Sequence, residues 1–324
     1  MIEFNVANAR AWSLLGPSGI FGLAACELAE TDEKFIALTA DLCYFSGLNR
    51  LATSHPDKLL NIGIAEQNML GIAAGMAKEG MNPFVTTYAT FSSTRVLDQV
   101  KVNMGYMNLP IKMVGLTAGF SAGILGATHM ATEDIAIMRS IPNMVVLSPA
   151  DGMETMKAIL AAAQTKKPTY IRMCSGARMP IIHKSDFNFE IGKAMRLREG
   201  KDISIIATGT MVYRCLRVAE MFEQDGISCE VINVHTIKPI DEQMIKKACD
   251  KKLIVTVEEH SKIGGIGGVV AEVLAPITKK PPHLILGTDD HYLHAAQYET
   301  LIERSGLTEK QIYESINGFT KEIN

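Results

Sequence analysis

Short, continuous apolar runs alternate with longer stretches of helical spacing along most of this chain. Phe35–Thr39 reads as a strand ending at Ala40-Asp41. Leu60–Ile62 reads as a second, running into a helix over 65–79 that stops at Gly80. Pro83–Tyr88 predicts a third strand, followed by a helix through Val100. Ile111–Leu116, Met144–Leu147 and Tyr170–Met173 predict three more, and Ser148-Pro149-Ala150-Asp151 has the make-up of a helix cap. Strands apolar throughout, rather than alternating, are buried on both faces, and a parallel sheet covered by helices supplies that burial. The pattern then repeats, with strands at 203–208, 229–234 and 253–257 and helices at 210–224, 241–249 and 267–275. Residues 175–194 carry Gly, Pro and polar residues without sustained periodicity, as a connection would. The predicted fold class is α/β with two doubly wound domains: 1–180, a linker at 181–190, and 191–324.

Composition narrows the function classes. The 324 residues are 47% hydrophobic and 21% charged, enough apolar material for about two domains with real cores. The six cysteines, at 26, 43, 174, 215, 229 and 249, show no close pairing and read as reduced thiols, which suits a cytoplasmic protein. A net charge of −3 argues against nucleic acid as a partner. The N-terminus has an early acid and no apolar leader core. The uncharged stretch 113–132 is long enough to raise a membrane question, but its Gly, Thr, Ser and His content fits a buried strand, a turn and a helix start; no membrane partner is expected.

The segment Gly63-Ile64-Ala65-Glu66-Gln67-Asn68-Met69-Leu70-Gly71-Ile72-Ala73-Ala74-Gly75-Met76-Ala77 is the most informative. It sets one carboxylate at a helix start among small and apolar residues. Desolvation there should raise its proton affinity, whereas an ordinary N-terminal Glu needs only the helix dipole. The small residues at 71, 73, 74, 75 and 77 imply a helix that packs closely against something.

With GIAEQNM (63–69), PFVTTYATF (83–91), Asp98-Gln99, Gly126-Ala127-Thr128-His129, the run Glu133–Met144, Ser148–Asp151, Val257-Glu258-Glu259-His260 and Gly264-Gly265-Ile266-Gly267-Gly268 in order, the chain resembles the transketolase family over nearly its whole length. The likeness is to the C-terminal, pyrimidine-binding subunit of split transketolases. It implies a thiamine diphosphate pyrimidine-binding domain followed by a transketolase C-terminal domain. It also implies transfer of a two-carbon ketol unit from a ketose to a carbonyl acceptor. Glu66 would meet N1′ of thiamine diphosphate, where a shared proton activates the thiazolium carbon. Phe91 would pack on the aminopyrimidine, His129 would lie over the reacting carbonyl, and Asp41 would stand near the cofactor.

Thiamine enzymes hold the diphosphate through Mg²⁺, using a Gly-Asp-Gly segment and a later Asn, and this sequence contains no Gly-Asp-Gly. The resemblance therefore implies an N-terminal transketolase subunit that supplies the diphosphate and Mg²⁺ ligands, in a two-fold α2β2 assembly, with no metal ligand from this chain. The usual Gly-Glu-Asp-Gly-Ala-Thr-His appears as Gly123-Ile124-Leu125-Gly126-Ala127-Thr128-His129, and Leu125 cannot bond a sugar hydroxyl. A family His falls at Thr117, and two phosphate-binding Arg positions fall at Ser175 and near Ser18, with Arg10, Arg172 and Arg178 the nearest cations. A phosphate clamp works through charge-assisted Arg contacts. The losses imply substrates other than ordinary sugar phosphates, with Arg172 and Arg178 as substrate-binding candidates beside His129. The β subunit of a 2-oxoacid dehydrogenase E1 is an alternative, favoured by Ser121-Ala122-Gly123 before the His, and a non-catalytic partner subunit is another. Deoxyxylulose-phosphate synthase normally joins both halves in one chain. The C-terminal domain is expected to serve assembly, with His260, His291 and His294 solvated or in the core rather than metal-bound.

Overall fold

The apolar runs become the strands of two sheets. A computed structural model describes residues 2–175 and 178–323; Gly176 and Ala177, within the expected connection, lie outside the described residues. The strands are β1 (Phe35–Thr39), β2 (Leu59–Asn61), β3 (Asn82–Tyr88), β4 (Lys112–Leu116), β5 (Val145–Leu147), β6 (Thr169–Arg172), β7 (Met195–Arg198), β8 (Ile203–Ala207), β9 (Cys229–Asn233), β10 (Thr236–Lys238), β11 (Leu253–Ser261) and β12 (His283–Thr288). The first sheet runs β10-β5-β6-β4-β3-β1-β2, parallel except for β10. The second runs β12-β11-β8-β9-β7, parallel except for β7. β1, β4 and β6 are buried at every residue, as strands covered on both faces must be.

The strand order of the first sheet reverses at β1 and β3. From β1 the chain crosses outward to β2, and from β3 it crosses the other way to β4. Loops leaving the carboxyl ends of strands on either side of such a switch point diverge, and ligands bind in the crevice they leave. The loops after β1, β2, β3 and β4 carry Asp41, Glu66, Phe91 and His129 in turn.

One feature crosses the expected boundary between halves. β10 comes from the second half but pairs antiparallel with β5, Thr236 opposite Leu147 and Lys238 opposite Val146, and so edges the first sheet. A single apolar core runs from Leu38 and Val85 through Met144 and Ile237 to Ile232 and Ile254. Polar contacts reinforce the seam. Asn233 Nδ2 donates to Glu154 Oε1 at 2.7 Å, and the Ser261 amide donates to the Thr132 carbonyl at 2.7 Å. The motif Glu258-Glu259-His260 lies on β11 at this seam, and all three side chains are buried. Glu258 accepts from the amides of Ile266 (2.7 Å) and Gly267 (2.9 Å) at the start of the helix Ile266–Leu274. The glycine run makes room for this: a Cβ on Gly265 would lie 2.0 Å from a Glu258 oxygen. His260 Nε2 accepts from the Ala136 amide at 3.3 Å, so it is a core histidine, whereas His291 and His294 are exposed.

The helix Val6–Thr31 is long and apolar enough to cross a membrane by length and composition. Here it is kinked at Gly16 (φ 75°) ahead of Pro17, and it buries Trp12, Ile20, Phe21 and Leu28 beside the helix Gly152–Gln164. Asp151 caps the latter, accepting from the Glu154 amide at 2.9 Å. The uncharged stretch 113–132 builds most of β4 and the loop after it.

Lys112 sits on β4 almost without solvent contact, donating to the Pro110 carbonyl at 2.6 Å. Burial pulls its ammonium down to about 8, with Asp32 opposing the shift. The unfolded chain keeps this proton up to the ordinary lysine value, so between about pH 8 and pH 10.5 the unfolded state binds more protons than the folded one. Stability should therefore rise with pH across that window, and be lowest on this account below it. Lys112→Met should raise the melting temperature at pH 7 and remove that slope; an unchanged slope in a thermal titration would contradict the assignment.

Candidate functional site

Glu66 opens the helix Glu66–Lys78, after a turn in which Gly63 adopts φ 77°. Its side chain is nearly buried, at 4% exposure. The helix start favours a negative charge there through its free amides. Its Oε1 accepts from Arg95 Nη1 at 2.5 Å. Arg95 comes from the segment Phe91–Arg95, which winds as a π-helical turn after β3. Positions four apart share a face of such a turn, and the Arg95 guanidinium lies 3.9 Å over the Phe91 ring centroid. Glu66 and Phe91 are thus brought together, and one planar, nitrogen-bearing group already stacks on one and hydrogen-bonds to the other. Arg95 was missed in the sequence because 89–100 reads as one ordinary helix; a π turn puts its guanidinium where a 3.6-residue helix would not.

His129 joins this cluster through its ring. It meets Phe91 edge-on at 5.4 Å between centroids and Tyr88 at 5.9 Å, and Tyr88 and Phe91 are 5.8 Å apart. Its Nδ1 lies 3.0 Å from Thr128 Oγ1. The His129 loop leaves β4 through Thr117, whose φ of 52° is costly for a β-branched residue and whose buried hydroxyl has no protein partner. The Thr87 hydroxyl on β3 is likewise buried without a partner. Asp41 lies outside the cluster proper. It is exposed, at φ 59°, and is tied to the loop after β2: its amide donates to Asn61 Oδ1 (3.1 Å) and Asn61 Nδ2 donates back to its carboxylate (3.2 Å).

One sequence expectation needs correction. Arg172 does not face substrate. Its side chain is 1% exposed and paired with the fully buried Asp134, Nε donating to Oδ2 at 2.9 Å. The rest of its guanidinium is used by Cys174 Sγ (2.9 Å), the Ala131 carbonyl (3.3 Å) and the Glu259 carbonyl (2.8 Å). A cation at a strand end reads as solvent-facing, and the distant Asp134 that buries it gives no local signal. The small-residue helix does pack closely, on one side. Ala73, Ala74 and Ala77 are buried, but Gly71 and Gly75 face outward, with nothing within 4 Å of where a Cβ would stand. Arg178 is exposed and lines a separate open cleft of about 540 Å³ with Thr210, Tyr213, Arg214 and Tyr298.

The strand-end loops around the cluster expose large apolar side chains: Tyr44 and Phe45 after β1, Ile64 after β2, Ile124 and Leu125 after β4. Among the described residues there is no group of three or more His, Cys, Asp or Glu able to hold a metal ion. The cluster can grip a planar nitrogen heterocycle by its face and by one ring nitrogen.

Comparison with known proteins agrees with this layout. Residues 18–177 match the family described as "Transketolase, pyrimidine binding domain", and residues 192–312 match "Transketolase, C-terminal domain". The chain is 40% identical over 298 residues to the "Putative transketolase C-terminal section" of Methanocaldococcus jannaschii, covering 91% of this chain and 93% of that protein. It is 38% identical over 299 residues to the "6-deoxy-6-sulfo-D-fructose transketolase subunit SqwH" of a Clostridium species, covering 92% of each. A solved structure described as "Split gene transketolase, inactive beta4 tetramer" superposes with a TM-score of 0.82 at 35% identity, covering 92% of this chain and 96% of that one.

Proposed function

The chain belongs to the transketolase family, and on that premise we propose that it is the pyrimidine-binding half of a thiamine diphosphate-dependent ketol transferase, completed by a second subunit. The observation that carries this reading is the Glu66–Arg95–Phe91 stack. A guanidinium and an aminopyrimidine are both flat and bear N–H groups, and the guanidinium occupies both contacts such a ring would make. When bound, the coenzyme supplies the nucleophilic carbon that carries a two-carbon ketol unit from a ketose to an acceptor aldehyde. Phe91 fixes the plane of its ring. Glu66 holds or yields a proton at the ring nitrogen, in a site that keeps water from that carboxyl group. His129, set edge-on against Phe91, presents a ring nitrogen toward the reacting carbonyl.

No group of three or more His, Cys, Asp or Glu able to hold Mg²⁺ occurs among the described residues, and we assign the Mg²⁺ and diphosphate ligands to the partner. The exposed apolar side chains around the crevice and the bare Gly71/Gly75 face of the helix support a subunit seated there. So does the naming of one relative as a "subunit" and of the related structure as an inactive β4 tetramer. We infer an α2β2 assembly on the same grounds, and a cytoplasmic location from the six free cysteines. With Arg172 consumed in the core and Leu125 exposed at the turn before His129, the substrates are sugars other than the ordinary sugar phosphates. A relative named for a sulfonated ketose points the same way.

Reconstitution with a companion chain carrying Gly-Asp-Gly tests this. Saturable thiamine diphosphate binding should need both chains and Mg²⁺; if the complete mixture fails to bind it, the reading is wrong. Ordinary rates with xylulose 5-phosphate and ribose 5-phosphate would reject the substrate part alone. Because Arg95 holds the coenzyme's two contacts, Arg95→Ala should tighten cofactor binding. An ion pair whose cation is close to half exposed and a cation–π contact together are worth about 1 kcal/mol, so the gain should be about fivefold in a fluorescence titration.

A further inference from the structure

We propose that Glu259, on β11 of the C-terminal domain, is a positioning residue that sets the His129 loop. This rests on the catalytic reading above and extends it to a domain expected only to serve assembly.

The loop is closed at its neck. Gly119 and Ala131 exchange backbone hydrogen bonds of 2.9 and 3.1 Å, so residues 119–131 form a loop with His129 two residues from its return. Both sides of the neck are fastened from the other domain. On the outgoing side Glu259 Oε1 accepts from the Phe120 amide at 2.6 Å. On the returning side the Ser261 amide donates to the Thr132 carbonyl at 2.7 Å; Arg172, on β6 of the loop's own domain and bonded to the Glu259 carbonyl, donates to the Ala131 carbonyl. Gly119 is needed for the approach: it adopts φ 61°, and a Cβ there would stand 2.2 Å from Glu259 Oε1.

The second carboxylate oxygen explains why the first does not move. Oε2 accepts from Thr210 Oγ1 at 2.5 Å and from the Tyr298 hydroxyl at 2.6 Å. Burial, and then the Glu259 charge, hold the Tyr298 phenol well above its ordinary value, so it remains a donor. Glu259 is 1% exposed and carries three donors from three different segments of chain. A buried carboxylate satisfied in this way has one low-energy placement. Assembly alone does not require the third donor to be the amide next to the neck of the His129 loop. Neither Glu66 nor Phe91 touches Glu259, so cofactor grip and histidine placement are separable.

The test compares Glu259→Ala and Glu259→Gln with the unaltered chain. In the isolated chain, the His129 imidazole protons should carry ring-current shifts from Phe91 and Tyr88, assigned with His129→Gln. The alanine variant should lose those shifts, and amides 118–131 should lose exchange protection while β1 and β3 keep theirs. The glutamine variant, which can still accept from Phe120, should restore most of both. In the reconstituted complex, kcat of the alanine variant should fall about 100-fold, the usual penalty for a reacting group displaced by about an ångström, while the half-saturating thiamine diphosphate concentration stays within twofold. Unchanged His129 shifts and loop protection overturn the proposal. So does a loss of protection spread over the whole chain together with weakened cofactor binding, which marks a structural role only. If the unaltered complex transfers no ketol unit, the functional reading fails, and the shifts and exchange rates still decide the role of Glu259.

Discussion

Glu66→Gln should reduce ketol transfer by the reconstituted complex by about 10²- to 10⁴-fold, the range that removal of a positioned proton-transfer group costs. Glutamine keeps the shape and one acceptor oxygen but cannot exchange a proton with a ring nitrogen. Because Glu66 is nearly buried, water is poorly placed to substitute for it. Binding should suffer less than turnover, since the Phe91 face is untouched. The variant also loses its ion pair with Arg95, which is close to half exposed and can turn to solvent. The measurement is steady-state turnover alongside a cofactor titration on the same preparation. Turnover within threefold of the unaltered complex would remove Glu66 from the mechanism.

The largest stability effect is expected at the Arg172–Asp134 pair. Asp134→Ala leaves a guanidinium that is 1% exposed without its carboxylate and leaves the Tyr170 hydroxyl without the acceptor it now has at 2.8 Å. Breaking a buried pair from one side costs about 3–5 kcal/mol, a drop in melting temperature on the order of 10 °C for a chain of this size. Replacing both partners, Asp134→Leu with Arg172→Met, should recover part of it, because no charge is then stranded while the Tyr170 hydroxyl and the Ala131 and Glu259 carbonyls still lack the partners they now have. Denaturant midpoints for the single and double variants measure the difference. A single-variant loss below about 1 kcal/mol would mean the guanidinium reaches water.

Most strands of both sheets were legible because they are buried on both faces and are therefore dominated by apolar residues. Phe35–Thr39 and Ile203–Ala207 are buried at every residue, and each admits only one small hydroxyl, Thr39 and Ser204. The helix Glu66–Lys78 was legible from its glutamate and small residues, and the Asp151 cap from its side chain. What could not be read turns mostly on partners far away in the chain. β10 is three residues long and its identity as a strand depends on β5, far back in the chain. The helix Val6–Thr31 contains Gly16-Pro17, so its two halves bury different faces and no single stripe survives. Arg172 was misread, and Arg95 overlooked, because each is decided by a carboxylate about thirty or more positions away. The aromatic set Tyr88, Phe91 and His129 was two-thirds named from the family pattern; Tyr88 was passed over as a strand residue, which it also is.

The β10–β5 seam has a consequence for how this chain can be divided. Severing it in the linker would strip three residues from the rim of one sheet and open a raw row of backbone donors and acceptors along Val145–Leu147, the kind of edge on which other chains polymerise. The same cut would split an apolar interior that both halves line. Two successive family matches in the sequence thus meet in one shared interior.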